Sequence, residues 1–212
     1  MEENIELLKF KAEQGDTESQ FCLGTCYYNG NGVIRDFNKA VEWYTKAANQ
    51  NHAEAQYNLG NCYFYKEGPS GLSLDCDNAV VWWEKAAEQG YAPAQFKLGI
   101  AYNGGLGVSL NPEKAVEWFT KAAEQGMAEA QYQLGICYRD GNGVSRNLNN
   151  ALFRLTQSAE QGYANAQYEL GEYYGVVQNY EKAAEWLLKA AKQGHKEAIE
   201  KIQKLMDILN IH

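Results

Sequence analysis

Small and apolar residues recur along the chain with a helical period, and the helical pattern itself repeats. Ala55, Leu59 and Tyr63 fall at i, i+4 and i+8, which places them on one face of a helix. A Leu-Gly pair marks that face at Leu23-Gly24, Leu59-Gly60, Leu98-Gly99, Leu134-Gly135 and Leu170-Gly171, with spacings of 36, 39, 36 and 36 residues. A Tyr follows each Leu by four residues. Further along each stretch a second helix is predicted from a polar residue four before an Ala: Asp36/Ala40, Asp75/Ala79, Asn111/Ala115, Asn147/Ala151 and Asn179/Ala183. An Asp or Asn there accepts a bond from the orphan N–H groups of the first helical turn. Three residues past the Ala stands Trp43, Trp82, Trp118 or Trp186, and Arg154 in the fourth stretch. These tryptophans are expected in the core. The fourth stretch is therefore expected to be the weakest joint, because it also ends on Gln157-Ser158-Ala159 where the others end on Lys-Ala-Ala.

Gln-Gly, or Gln-Asn once, punctuates the pattern at Gly15, Asn51, Gly90, Gly126, Gly162 and Gly194, where a left-handed residue suits a helix end. Cutting there gives five two-helix units over 16–51, 52–90, 91–126, 127–162 and 163–194. Residues 1–15 read as a lone second helix that caps the N-terminal end, with Ile5, Leu8 and Ala12 on one face. Residues 195–212 read as a closing first helix, with an apolar stripe of Ala198, Ile199, Ile202, Leu205, Met206 and Leu209. A period of this length means a repeat fold, here all-α, in which neighbouring units bury one another.

The recurring residues resemble a known family. Ala94-Gln95-Phe96-Lys97-Leu98-Gly99, Gly105-Leu106-Gly107-Val108, Lys114-Ala115, Trp118 and Lys121-Ala122-Ala123-Glu124-Gln125-Gly126 are similar to the Sel-one-like repeat, a branch of the tetratricopeptide-like helical repeat superfamily. The resemblance implies a right-handed α-solenoid whose first helices line a concave groove. It implies a scaffold or adaptor role and carries no catalytic motif. Two units depart from it. The second has three extra residues in its loop, Lys66 to Leu72, and the fifth has a short turn, Gly175-Val176-Val177-Gln178, in place of Gly-x-Gly-Val.

Composition narrows the function classes. The 212 residues carry 19 Lys+Arg and 27 Asp+Glu, a net charge of −8. An acidic chain is poorly suited to nucleic acid, whose phosphates are held by basic residues, and to anionic membrane surfaces. No nucleic acid and no membrane are expected as partners. The N-terminus lacks a basic stretch followed by an apolar run, so a cytoplasmic location is expected. Five cysteines are too dilute for a disulfide framework. Cys26, Cys62 and Cys137 share a slot where the other units carry Ala101 and Tyr173, which reads as small-residue packing. Cys22 and Cys26 stand at i, i+4 but lack two further ligands, so no metal and no cofactor are expected. The Gly-x-Gly loops follow helices rather than strands, so they read as turns rather than phosphate cradles. Neither Ser70 nor Ser73 has a His to pair with, so no catalytic residues are assigned and the chain is not expected to be an enzyme.

Recurrence marks the scaffold; slots that vary between units are free for a partner. In tetratricopeptide geometry the groove-facing slots lie two residues before the Leu and two, five and six after it, and the last three vary. They hold Thr25, Tyr28 and Asn29; Asn61, Phe64 and Tyr65; Ile100 and Asn103; Ile136, Arg139 and Asp140; and Glu172. The slot two before the Leu is always aromatic, which suggests packing. The expected function is a non-enzymatic, monomeric scaffold that binds a peptide, helix or protein domain, with Tyr28, Asn61, Phe64 and Tyr65 as strongest anchors. The alternatives are a β-lactamase-like or penicillin-binding repeat protein and a repeat scaffold without an evolved ligand.

Overall fold

The computed structural model describes residues 2–65 and 75–208. Among them are twelve helices and no strand. A first helix, α1 (Glu2–Glu13), precedes the pairs α2 (Thr17–Asn29) and α3 (Phe37–Asn49), α4 (Ala53–Phe64) and α5 (Cys76–Glu88), α6 (Ala92–Gly104) and α7 (Pro112–Glu124), α8 (Ala128–Asp140) and α9 (Leu148–Glu160), and α10 (Ala164–Val176) and α11 (Tyr180–Lys192). The last helix is α12 (Lys196–Ile208). The chain divides into two compact units, the first ending at Asn111 and the second beginning at Pro112. Within each, every helix packs on the next in sequence. The all-α reading stands. The long loop at 66–74, with Ser70 and Ser73, lies outside the described residues, as do Leu209 and the side chain of Met206.

The helix starts follow the predicted chemistry. Asp36, Asp75, Asn147 and Asn179 accept bonds from Lys39, Asn78, Asn150 and Lys182 N–H at 3.0–3.2 Å. The Gly-x-Gly segments are turns. Gly107 has φ +69°, and a Cβ on it would collide with the Cys76 carbonyl, so only glycine fits there.

The tryptophan reading needs correction. The buried aromatic of a second helix is the residue four past the Ala, not three: Tyr44, Trp83 and Phe119 are at most 2% exposed, and Leu155 and Leu187 take the same slot. That slot lies between the Ala at the start and the Ala pair at the end of the face, whereas a three-residue step lands on its flank. Trp43, Trp82, Trp118 and Trp186 are accordingly half-buried. Each lies under the Lys ammonium of the next turn, 3.8–4.0 Å from the ring centre. The fourth unit thus loses no core indole. Leu155 fills the slot, Arg154 donates to Gln157 on the flank at 3.1 Å, and buried Ser158 donates to the Ala128 carbonyl at 2.7 Å. The reason for calling this joint weak disappears.

The repeat Gly is the other half of that contact. A Cβ on Gly60 would stand 2.5 Å from Trp83 Cδ1, and one on Gly171 would stand 2.6 Å from Leu187 Cγ. The helices approach closely because these glycines have no side chain.

A glutamine ladder ties successive hairpins together, and the sequence reading missed it. Gln20, Gln56, Gln95, Gln131 and Gln167 are all at most 5% exposed. Each donates to the carbonyl eight residues earlier, at Ala12, Ala48, Ala87, Ala123 and Ala159, over 3.0–3.3 Å. Four of their Oε1 atoms accept from Gln50, Gln89, Gln161 and Gln193 at 2.7–2.8 Å. These partners are the glutamines of the Gln-Gly and Gln-Asn punctuation. The buried amides therefore satisfy one another and add a second bond to a helix-end carbonyl that already accepts the turn N–H three residues on.

The end helices differ in one detail from the predicted stripes. Ala12, Ala198, Ile202 and Leu205 are buried, but Ile199 is 47% exposed. It follows the Ala by one residue, too far round the helix to share the inner face.

Candidate functional site

Three cavities sit at joints between successive first helices, and the slots named from sequence line them. In the first unit Thr25, Tyr28 and Asn29 of α2 face Asn58 and Asn61 of α4 across a cavity of about 230 Å3, floored by Tyr44 of α3. The Thr25 and Tyr44 hydroxyls are hydrogen-bonded at 3.2 Å. Burial pushes the Tyr44 hydroxyl up to about 12, so the floor is a neutral O–H at ordinary pH. Asn61 Oδ1 is buried without a hydrogen bond. Tyr28 meets Phe37 edge-on at 5.3 Å.

The other two cavities, each of about 360 Å3, belong to the second unit. One has Arg139 of α8, Glu169, Glu172 and Val176 of α10, and Leu155 of α9 as its floor. The other has Glu172 and Val176 again, Leu187 of α11 as its floor, and Lys201 and Leu205 of α12. The floor in all three is the second-helix slot four past the Ala: Tyr44, Leu155 or Leu187. Sequence reasoning missed the floors because it assigned the core to the preceding Trp. It also missed Asn58 and Glu169, which share the slot one before the Leu, and Val176, which the short fifth turn hid.

The remaining predicted residues are less uniform. Phe64 packs 5.2 Å from Trp83 and 5.0 Å from Tyr65, so it belongs partly to the α4–α5 contact. Tyr65 is 44% exposed, and its hydroxyl accepts from Lys97 Nζ at 2.7 Å. Ile100 and Asn103 are half-buried on α6. Ile136 packs on the cluster of Leu155, Ala159 and Leu170. Arg139 is not a free cation: its guanidinium donates to Asp140 at 2.8 and 3.0 Å and to Glu169 at 2.6 Å. The Arg139 bonds hold the Asp140 carboxyl below the usual range. Glu172 accepts from Lys201 at 2.9 Å.

The aromatic slot two before the Leu packs on the start of the next first helix. Phe21 stacks on His52 at 4.6 Å and Tyr168 on His195 at 4.7 Å, and Tyr57 and Tyr132 contact Tyr91 and Tyr163. His52 and His195 cap those helices by accepting from Ala55 and Ala198 N–H through Nδ1. All five cysteines are free thiols. Burial pushes that of Cys137 up to about 11, which makes it a poor nucleophile. Among the described residues no group of three or more His, Cys, Asp or Glu is placed to hold a metal, and no helix is long and apolar enough to cross a membrane.

Comparison with known proteins agrees with the repeat pattern. The profile of the Sel1 repeat matches residues 17–52, 53–91, 92–127, 128–163 and 164–195. A crystal structure of a Sel1 repeat protein from Oxalobacter formigenes is 35% identical, with a TM-score of 0.82 over 89% of this chain and 76% of that one. YrrB, described as a tetratricopeptide-repeat protein with an unusual peptide-binding site, is 26% identical, with a TM-score of 0.56 over 92% of this chain and 96% of its own. The secretory immunoglobulin A-binding protein EsiB of Escherichia coli O6:H1 (strain CFT073) is 41% identical over 44 residues. That match spans 21% of this chain and 9% of EsiB.

Proposed function

This chain belongs to the Sel1 repeat family, and from that premise we propose that it is a non-enzymatic scaffold that binds a peptide or a segment of another protein along the first-helix slots. Repeat proteins of this kind generally serve protein interaction. The observation that carries the finer reading is the recurrence of a cavity at the same slots in three joints, lined by residues that differ from joint to joint. A scaffold needs uniform residues for stacking and is indifferent to the rest; the residues facing these cavities are among those that vary. The peptide-binding site ascribed to YrrB, similar over most of both chains, supports the same class of ligand.

Affinity in such a site comes from a few well-placed anchors rather than from area. Tyr28 and Tyr65 offer aromatic surface in the first unit, and Asn29, Asn58 and Asn61 offer amides to a peptide main chain. Phe64 is a less discriminating target than its sequence slot implies, because truncating it also disturbs Trp83. The test is selection of peptides on the immobilised full chain, followed by Tyr28→Ala and Tyr65→Ala. Loss of at least tenfold in affinity at one of these sites, with an unchanged circular dichroism spectrum, is expected. Retained binding in both, and in variants of the second-unit slots, would place the partner on another surface.

A further inference from the structure

The three cavities share a plan but not a chemistry. Those of the second unit rest on leucine, Leu155 or Leu187, and carry ion pairs in their walls. The first-unit cavity holds no charge: among the described residues its lining is Thr25, two tyrosines and three asparagines. Arg35 does not line it; its Nε donates to the Tyr28 carbonyl at 3.0 Å, and its guanidinium lies 4.3 Å from the centre of the Phe37 ring.

The hydrogen bonds inside this cavity have a direction. Thr25 Oγ1 donates to the Phe21 carbonyl at 3.2 Å, so it accepts from the Tyr44 O–H, also at 3.2 Å. Both hydroxyl protons of that pair are taken, and the floor offers an entering group only oxygen lone pairs. Asn61 adds another acceptor, since its Oδ1 is buried without a hydrogen-bond donor. A carboxamide turns about its last bond at little cost, so an entering N–H draws that oxygen toward the cavity. Asn58, beside the Tyr44 hydroxyl, and exposed Asn29 supply the wall with N–H groups.

A group that fits must donate to the floor, accept from the wall and carry no charge. A carboxylate brings lone pairs to lone pairs. An ammonium or guanidinium donates, but no carboxylate lines the cavity to compensate its lost hydration. An apolar side chain strands the carboxamides away from water. A side-chain carboxamide meets all three conditions, with two N–H donors and one carbonyl. The volume of about 230 Å3 is several times the ~30 Å3 share of a water molecule, so a side chain has room. Tyr44 lies behind the first helices, on α3, within reach of an inserted side chain rather than of a main chain passing outside. We propose that the first-unit cavity is a specificity subsite that takes the carboxamide side chain of an Asn or Gln in the bound segment. This rests on the scaffold reading above and adds the residue class that the partner must present.

The test is a positional-scanning library of acetylated, methylamidated ten-residue peptides, read by fluorescence anisotropy on the full chain. The methylamide cap removes the terminal carboxamide as a rival. One position of the selected peptide should require Asn or Gln. Exchanging that residue for the matching Asp or Glu, for Met or for Lys should each weaken binding at least tenfold. Asn58→Asp places a carboxylate in the wall and should convert the preference to Lys or Arg. Thr25→Val frees the Tyr44 O–H to donate into the cavity and should narrow the discrimination against the acid. Val176→Asp in the second unit, where the side chain is 81% exposed, should leave affinity and preference unaltered. The circular dichroism spectrum should be the same throughout. A selected peptide that tolerates all these exchanges, or whose preference survives both Asn58→Asp and Thr25→Val, would overturn this inference and leave the scaffold reading standing. Failure to select any peptide would overturn both. Sedimentation showing a dimer that Asn58→Asp dissociates would give the cavity to a second copy of the chain and overturn the inference as well.

Discussion

Adding one methyl group to Gly60 should destabilise the protein, although the same change is ordinarily favourable in a helix. Helix propensity alone predicts a gain of about 1 kcal/mol for Gly→Ala in a helix interior. At Gly60 the new Cβ would stand 2.5 and 2.6 Å from Trp83 Cδ1 and Nε1, and 3.0 Å from the Ala79 carbonyl oxygen. The indole is 2% exposed and held by Phe64, so it has little room to turn. Overpacking a tight core costs about 1–3 kcal/mol, and a contact this short with a rigid ring belongs at the upper end. The net effect is a loss of about 2 kcal/mol, since sterics outweigh propensity. Gly175→Ala is the control. It lies in the last turn of α10, its added Cβ meets nothing within 4 Å, and the backbone is not left-handed. It should stabilise by about 0.5–1 kcal/mol. Urea unfolding followed at 222 nm reads both. If Gly60→Ala raised the midpoint as Gly175→Ala does, the close helix approach through the repeat glycine would be wrong.

Three further predictions follow from particular contacts. Gln56→Leu should cost about 1–2 kcal/mol in urea unfolding, because it removes one of the bonds to the Ala48 carbonyl, which keeps that from the Asn51 N–H, and leaves the Gln89 amide only its long bond to the Lys85 carbonyl; a neutral result would deny the ladder its role. Arg154→Trp should change stability by less than about 1 kcal/mol, since that slot lies on the helix flank, and hydrogen exchange in residues 147–161 should match that of α11; a large gain would restore a core role for the slot. Asp16 and Asp75 have pKa values lowered by the cap bonds from Ser19 and Asn78. Their stabilisation is present above the unfolded-state carboxylate pKa of about 4 and is lost as pH falls through the folded value. The double change Asp16→Asn and Asp75→Asn keeps the caps, so it should leave neutral-pH stability nearly intact and shallow the acid limb of a pH–stability curve. An unchanged acid limb would show that these caps do not titrate with folding.

Much of the fold was legible because the pattern repeats. One misplaced helix is corrected by four others, and the Leu-Gly pairs, the caps at Asp36, Asp75, Asn147 and Asn179 and the Gln-Gly ends occupy the roles their chemistry suggests. The tryptophan error arose because two adjacent residues, such as Trp43 and Tyr44 or Trp82 and Trp83, are both large and apolar; only the geometry of the face decides between them. The glutamine ladder was invisible because each Gln bonds across hairpins, 30 or 33 residues away in the first unit, and polar residues in helices ordinarily read as exposed. The candidate site was legible only as a set of slots, since variation at a fixed repeat position needs no structure to see. Its chemistry was not. Arg139 reads as a lone cation in the sequence but is bonded to Asp140 and to Glu169, one helix hairpin away.

The central claim is that a partner segment lies along the first-helix slots. Amide chemical-shift mapping of the full 15N-labelled chain, titrated with the best peptide from the library selection, tests it most directly. The account predicts that the perturbed amides cluster on the slots and floors of the joint cavities, at Thr25 and Asn61 or at Glu172 and Val176, with Trp43, Trp118 and Trp186 on the second-helix flanks unmoved. Perturbations centred on those tryptophans and their lysines, with the cavity residues silent, would contradict it.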